Sequence, residues 1–222
     1  MGKMIELTAS DSHKLAAYRA EPAGKPRGGI VVIQEIFGVN SHMRSVADGY
    51  AADGYLAIAP ALFDRAERGF EVGYSPPEIE RGRAVRAKAS LDDVLKDVAA
   101  AIKAAAPAGK VGIVGYCWGG TVTWAAATRL DGLAASSPHY GGGIAEIATE
   151  RSRCPVMFHF GETDQQIPMT DVEKIRQAQP GQTLHVYPAG HGFNCDQRGS
   201  YDAASAKLAR ERTLAFLRQH VG

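Results

Sequence analysis

Residues 111–120 read Val-Gly-Ile-Val-Gly-Tyr-Cys-Trp-Gly-Gly, and this stretch decides the fold. Its apolar run at 111–114 predicts a buried strand, and a helical pattern is predicted to begin at Thr121. Between the two, residues 115–119 fit the pattern G-x-C-x-G of a nucleophile elbow, a strained strand-to-helix turn that exposes its central side chain above the sheet edge. Cys117 is therefore the predicted nucleophile.

Two local features support Cys117 in that role. It falls at the N-terminus of the predicted helix, where the helix dipole favours a thiolate over a thiol. Gly115 and Gly119 stand two residues to either side, where strand and helix are expected to pass too close for a Cβ. The alternative is a buried structural cysteine, since an unpaired cysteine often behaves as a small apolar residue. The strand, the glycines and the helix together favour the nucleophile.

Composition predicts one compact α/β domain over residues 1–222, because 45% of the 222 residues are hydrophobic. Lysine and arginine number 25 and aspartate and glutamate 24, a net charge of +1 that argues against nucleic acid or a membrane as partner. Without a signal peptide or an apolar run of spanning length, a cytoplasmic location is expected. Three scattered cysteines predict neither a disulfide framework nor a metal site, and no cofactor is expected.

Strands alternate with helices along the chain, which predicts a mostly parallel central sheet with helices on both faces. The first two strands are expected to pair antiparallel at one edge, and Ser41 is the predicted N-cap of the first helix. Residues 61–89 are predicted as a loop and a short exposed helix that cover a site. Strands are predicted over 4–7, 14–20, 29–33, 55–59, 111–114, 133–136, 156–160 and 183–187. The other helices are predicted over 90–105, 170–178 and 201–220, with one more that begins at 121.

A nucleophilic thiol needs a base, and the position of His191 selects it among seven histidines. In parallel sheets the working residues lie in loops at the carboxyl ends of strands. His191 lies in such a loop, after the strand that ends at Tyr187, and His139 is the one rival in a suitable loop. The others lie within strands, before an edge strand, at a helix start or at the C-terminus: His13, His42, His159, His185 and His220.

The predicted acid is Asp164, which follows the strand ending at Phe160 and would fix the tautomer of His191. Glu162 is the competing carboxylate, but Asp164 lies further along the loop. The chain order is then nucleophile, acid, base, which is the order expected of an α/β-hydrolase.

Acyl transfer also needs donors for a developing oxyanion. The backbone N–H groups of Trp118, after the nucleophile, and of Ile36, after the strand 29–33, are the predicted pair. Glu35 lies next to Ile36, where a negative charge is unfavourable. Two interpretations stay open: Glu35 forms a salt bridge with an arginine, or it contacts the Cys117 thiol directly.

Six short motifs are spread over nearly the whole chain: QEIFG at 34–38, APALF at 59–63, GYCWGG at 115–120, YGG at 140–142, HFGETD at 159–164 and GHGF at 190–193. In combination they resemble the dienelactone hydrolases, or carboxymethylenebutenolidases. The resemblance implies an α/β-hydrolase fold, a Cys117-Asp164-His191 triad and hydrolysis of small-molecule lactones or esters. It also implies that Glu35 keeps the resting thiol neutral and takes its proton when substrate binds.

The resemblance extends less firmly to the substrate. In a well-known member a serine follows the histidine and an arginine lies a few residues on, whereas here Gly192 and then Asn194-Cys195 occupy those places. Arg81, with Phe37 and Tyr140, is the expected set of substrate-binding residues. A monomer or weak homo-oligomer is expected.

A second hypothesis uses the same thiol differently. Cys117 could be a redox-reactive cysteine of a peroxide sensor or thiol peroxidase, with Cys154 or Cys195 resolving its sulfenate. An oxyanion loop and an Asp–His pair are superfluous to that chemistry, so hydrolysis is favoured. A binding protein that has lost its activity is a third reading, which the complete triad disfavours.

Overall fold

Residues 2–222 are the part of the chain that the computed structural model describes, and they form an eight-stranded sheet with six α-helices. None of the helices within these residues is both long and apolar enough to cross a membrane. The strands are β1 Lys3–Thr8, β2 Lys14–Ala20, β3 Gly29–Ile33, β4 Leu56–Pro60, β5 Val111–Tyr116, β6 Leu133–His139, β7 Met157–Gly161 and β8 Thr183–Tyr187. The helices are α1 Ser41–Ala52, α2 Pro76–Arg86, α3 Leu91–Ala105, α4 Trp118–Arg129, α5 Met169–Ala178 and α6 Ala203–His220.

The sheet has the strand order β1-β2-β4-β3-β5-β6-β7-β8. β1 and β2 pair antiparallel, β2 pairs antiparallel with β4, and the strands from β4 to β8 are parallel. The predicted α/β-hydrolase fold is confirmed, including the antiparallel edge. Because β4 lies on one side of β3 and β5 on the other, the loops that leave β3 and β5 diverge and open a crevice at their carboxyl ends.

The centre of the sheet is buried on both faces. Ile30 and Val32 of β3 belong to one apolar cluster, which also holds residues of α1 and α6, and Val31 and Ile33 belong to a second cluster with residues of α3. Side chains alternate between the faces of a strand, so a strand covered on both sides must be apolar throughout. Burying each such side chain stabilises the fold by roughly 1.5–3 kcal/mol.

Helix starts differ from the predicted ones. Asn40, rather than Ser41, is the N-cap of α1, and its side-chain oxygen accepts the Met43 N–H at 3.2 Å. At α6 the cap is Asp202, which accepts the Ser205 N–H at 2.7 Å, so the helix begins two residues later than predicted. Ser, Asn and Asp cap equally well, and a run of polar residues leaves the choice to tertiary contacts.

α4 begins at Trp118, three residues before the predicted start at Thr121. Gly119 and Gly120 have poor helix propensity, which obscured the true start, but tertiary packing overrides propensity here. β6 is likewise longer than predicted and ends at His139.

Residues 61–89 contain the predicted helix, which is α2, but it begins at a different place from the one the sequence suggests. Pro76 and Pro77 form its first turn instead of a loop. Proline suits that turn because a backbone N–H there would have no intrahelical acceptor, so nothing is lost when proline lacks it. Ser75 and Glu78 complete a capping box, with the Ser75 N–H donating to Glu78 Oε2 at 3.0 Å.

Candidate active site

Cys117 is the single residue between β5 and α4, and its backbone has φ 56° and ψ −125°. A residue with a side chain seldom adopts positive φ, and such strain costs of the order of 1–3 kcal/mol. Two hydrogen bonds hold the turn: the Cys117 N–H donates to the His139 carbonyl at 3.1 Å, and the Gly120 N–H donates to the Cys117 carbonyl at 2.8 Å. The sharp turn predicted from the G-x-C-x-G pattern is present.

At each of the two flanking glycines, another segment of the chain lies too close for a side chain. A Cβ on Gly115 would collide with Thr123 Oγ1 and the carbonyl of Gly119 in α4. A Cβ on Gly119 would collide with the Gln34 carbonyl in the loop after β3. The predicted reason for these glycines, close packing of strand and helix, therefore matches the structure.

His191 and Asp164 meet in the loops after β8 and β7. His191 Nδ1 lies 2.7 Å from Asp164 Oδ2, and the Asp164 side chain has no exposed area. Asp164 Oδ1 accepts the backbone N–H groups of Gln166 at 2.8 Å and Ile167 at 3.2 Å. A carboxylate can only accept, so Nδ1 carries a proton and Nε2 is left for other chemistry. Glu162, the competing acid, is exposed.

The surroundings of His191 favour its charged form. Burial by itself lowers the pKa of His191, but the hydrogen bond to Asp164 and the proximity of Cys117 outweigh it and raise the pKa from 6.5 to about 10. The raised pKa means that the imidazolium form of His191 is favoured in the folded protein.

Cys117 and His191 line the same cavity, which has a volume of about 470 Å³. The Cys117 side chain is half-buried, and His191 Nε2 is buried without a hydrogen-bond partner among residues 2–222. The Cys117 thiol is close enough to contribute to the raised pKa of His191, although Nε2 makes no regular hydrogen bond to it. Such contacts often tighten only when substrate is bound.

His139, the rival base, is the last residue of β6 rather than a loop residue. Its ring stacks on His159 at 4.1 Å, and burial, with Arg210 as a smaller cause, lowers its pKa to about 3. His139 is not among the described residues that line the cavity with Cys117.

Glu35 forms an ion pair with Arg198, whose Nη1 donates to Oε1 at 2.9 Å. The side chains are 1% and 15% exposed, so the pair is held in a low dielectric. Glu35 Oε2 has no hydrogen-bond partner in the described part of the chain, and this excludes a hydrogen bond to the Cys117 thiol. Of the two open interpretations, the arginine salt bridge is the one that the structure contains.

Arg198 is not among the residues predicted from the sequence, because the family resemblance places its arginine at the positions of Asn194 and Cys195. Gly192 has φ 78°, and the Arg198 guanidinium lies where a Cβ of this residue would be. The glycine that replaces the expected serine therefore makes room for an arginine further along the same loop. The signal available in the sequence was the glycine after His191, combined with a nearby basic residue.

Trp118 and Ile36, which carry the two predicted oxyanion donors, line the cavity together with Cys117. Trp118 is the first residue of α4, where backbone N–H groups have no intrahelical acceptor. The loop that carries Ile36 is fixed by Gln34, whose side chain donates to the Glu35 carbonyl at 3.2 Å and accepts the Leu62 N–H at 3.1 Å.

The three predicted substrate-binding side chains do not line the cavity described for residues 2–222. Arg81 pairs with Glu67 at 2.5 Å and its side chain is 59% exposed. Phe37 is buried beneath the Arg198 guanidinium, 5.5 Å from its ring centre. Tyr140 is buried, and its ring centre lies 5.3 Å from that of His191 in an edge-to-face arrangement.

Two other arginines of α2, Arg83 and Arg86, line the cavity instead. Gly82 fixes the rotation of α2, since a Cβ there would collide with the Ile36 carbonyl, and Arg86 lies four residues on, along the same helix face. Arg83 is paired with Glu80 at 2.7 Å, whereas Arg86 has no ion pair with any residue from 2 to 222. Arg86 is therefore the basic group best placed to meet an anionic ligand.

Comparison with known proteins gives consistent matches. A profile of the dienelactone hydrolase family matches residues 15–221. A Synechocystis sp. protein provisionally named a carboxymethylenebutenolidase is 40% identical over 220 residues, covering 90% of this chain and 89% of its own. An Azospirillum brasilense protein with the same provisional name is 36% identical over 232 residues, covering 98% and 99%. The crystal structure of a provisionally assigned dienelactone hydrolase from Klebsiella pneumoniae superposes with a TM-score of 0.87 at 32% identity, covering 99% of this chain and 100% of that one.

Replacing Asp164 by asparagine is expected to lower the pKa of His191 measured by NMR titration of the imidazole. In the wild type the raised pKa stabilises the fold fully below pH 6.5, and this contribution disappears as the pH rises through about 10. Without the Asp164 charge the pKa of His191 in the folded protein falls, and its stabilising contribution disappears at a lower pH. Glu162→Gln, in the same loop but exposed, is the matched control and should leave the titration unchanged. An unchanged His191 pKa in Asp164→Asn would contradict the assignment.

Proposed function

The chain belongs to the dienelactone hydrolase family, and from that premise we propose that it hydrolyses small lactones or esters, with Cys117 as nucleophile, His191 as base and Asp164 orienting the base. The observation that carries the proposal is the convergence of a strained cysteine and a buried Asp–His pair on one cavity. A cytoplasmic location, one domain over residues 1–222 and a monomer or weak homo-oligomer remain predictions.

In the first half of the proposed reaction, Cys117 Sγ attacks the carbonyl carbon of the substrate. His191 Nε2 takes the thiol proton, and the oxyanion forms where the Trp118 and Ile36 N–H groups can donate to it. Collapse of the tetrahedral intermediate breaks the bond to the alcohol oxygen, which receives the proton from His191. The product is a thioester between the acyl group and Cys117.

In the second half, His191 takes a proton from water, and the resulting hydroxide attacks the thioester carbonyl. The acyl–sulfur bond breaks, His191 Nε2 returns its proton to the sulfur, and the carboxylic acid leaves. Asp164 keeps the Nδ1 proton in place during both halves, so that Nε2 is always the atom that exchanges protons.

We propose that Glu35 influences the site through its negative charge. A lone carboxylate near the oxyanion would oppose the developing negative charge, and the Arg198 partner offsets this. The gating that the family resemblance implies, in which Glu35 takes the thiol proton, would require Glu35 to turn from Arg198 towards Cys117. The unpartnered Oε2 is the atom available for that step.

The charge of the cavity supports a substrate that carries a carboxylate. Arg86 is free of internal ion pairs among the described residues and shares the cavity with Cys117 and Trp118. A guanidinium holds a carboxylate through two parallel hydrogen bonds, which would also orient the scissile carbonyl towards the thiol.

The redox hypothesis is less well supported by the same site. Burial raises the pKa of Cys154 to about 11, and burial followed by the Glu35 charge does the same for Cys195. Neither is therefore a ready thiolate for resolving a sulfenate on Cys117.

Removing the nucleophile or the base tests the proposal. Cys117→Ala and His191→Ala are each expected to lower kcat/KM for an activated aryl ester or an enol lactone by about 1000-fold or more, because the triad acts as a unit. Cys154→Ala is the matched thiol control and should retain wild-type turnover. Wild-type rates in either triad variant, or peroxide consumption faster than ester turnover by the purified protein, would reject the hydrolase mechanism.

Arg86→Gln tests the proposed carboxylate preference. KM for an enol lactone with a carboxylate should rise about 10-fold or more, since a charge-assisted hydrogen bond is worth about 1.5–3 kcal/mol. KM for a neutral aryl ester should stay the same in that variant. Arg81→Gln, on the same helix but outside the cavity, is the matched control. Equal effects on both substrates would contradict the role of Arg86.

A further inference from the structure

Glu35, His42 and Cys195 form a buried cluster that the hydrolytic mechanism does not require as a whole. One carboxylate oxygen, one ring nitrogen and the sulfur all lie within 4.8 Å of one another. The three residues are 1%, 5% and 0% exposed. They come from the loop after β3, the first turn of α1 and the loop between β8 and α6, so folding alone brings them together.

The carboxylate in this cluster is incompletely satisfied. Arg198 occupies Glu35 Oε1, whereas Oε2 is buried and has no donor within residues 2–222. A buried carboxylate oxygen without a partner is costly, and native proteins usually supply a proton donor or a cation. Oε2 is therefore available to accept a hydrogen bond or to bind a cation.

Metal-binding histidines typically have a carboxylate hydrogen-bonded to the ring nitrogen that does not bind the metal, and His42 has such a carboxylate neighbour. Its Nδ1 lies 3.1 Å from Asp196 Oδ1. A carboxylate on one ring nitrogen fixes the orientation and tautomer of the imidazole and leaves the lone pair of the other nitrogen available. His42 and Asp196 also line a surface cavity of about 330 Å³ between α1 and α6, whereas Glu35 and Cys195 are buried outside its lining.

We propose that Glu35, His42 and Cys195 form a binding site for a thiophilic divalent cation such as Zn²⁺. Sulfur, imidazole nitrogen and carboxylate oxygen are the ligands that zinc prefers, whereas Mg²⁺ and Ca²⁺ select oxygen alone. Bonds of about 2.0–2.3 Å require the three ligand atoms to approach one another more closely than their present limit of 4.8 Å.

Charge balance is compatible with the bound state. The Cys195 thiol gives its proton to solvent as the sulfur–metal bond forms. The thiolate and Asp196 then face the two positive charges of the cation, while Glu35 remains balanced by Arg198. No local sequence pattern announces the site, because its ligands are spread from residue 35 to residue 195.

The experiment must separate this site from the candidate active site, which also contains a thiol and an imidazole. Cobalt(II) is the probe, since a cobalt–thiolate bond gives a sulfur-to-metal charge-transfer band. We expect the full chain carrying Cys117→Ala, first freed of metal with a chelator, to bind one cobalt ion and develop this band. Adding Cys195→Ala or His42→Gln should abolish the band, and adding Cys154→Ala, the matched thiol control, should preserve it.

Thermal unfolding supplies a second readout. Zn²⁺ should raise the Tm of Cys117→Ala because a ligand of the folded state stabilises it, and should not raise the Tm of Cys117→Ala/Cys195→Ala. Circular dichroism without metal checks that each variant is folded, and Cys195→Ser replaces Cys195→Ala if the alanine variant is not. Absence of the band from Cys117→Ala, or its persistence without Cys195, would overturn the proposal.

Discussion

The structure depends on one backbone constraint: the chain must pass through positive φ at Cys117 to turn from β5 directly into α4. That strain is tolerated because strand and helix pack on each other through glycines, leaving no freedom to relax. The same packing holds the loop after β3 against the first turn of α4. One turn thus fixes the thiol, the Trp118 N–H and the position of the Ile36 loop relative to each other.

Charge is distributed around this turn in two buried pairs with different consequences. Asp164 stabilises a positive charge on His191, where the thiol proton would go. Glu35 and Arg198 cancel each other close to the predicted oxyanion, so a carboxylate can remain there. Removing Arg198 alone would leave an uncompensated buried charge. The space for Arg198 is created by Gly192, and the loop after β8 therefore supplies both the base and the counter-charge.

The sequence predicted those features that local backbone patterns determine. The elbow, the mostly parallel sheet with its antiparallel edge, and the loops that bring Asp164 and His191 together follow from glycine spacing, from the alternation of strands with helices and from strand ends. It did not predict which arginines reach the site. α2 is polar on nearly all sides, so its pattern could not specify its rotation, and the close approach of Gly82 to Ile36 decides it. The Glu35–Arg198 pair joins distant segments, which no local pattern encodes.

A covalent intermediate on Cys117 is the central claim, and mass spectrometry of the acid-quenched protein during the burst of leaving-group release tests it most directly. With an activated aryl ester, one acyl group should appear on the peptide that contains Cys117 and disappear on treatment with hydroxylamine. The peptides that contain Cys154 and Cys195 should stay unmodified. Full turnover with no acyl group on Cys117 at any quench time, or with the group on another residue, would contradict the account.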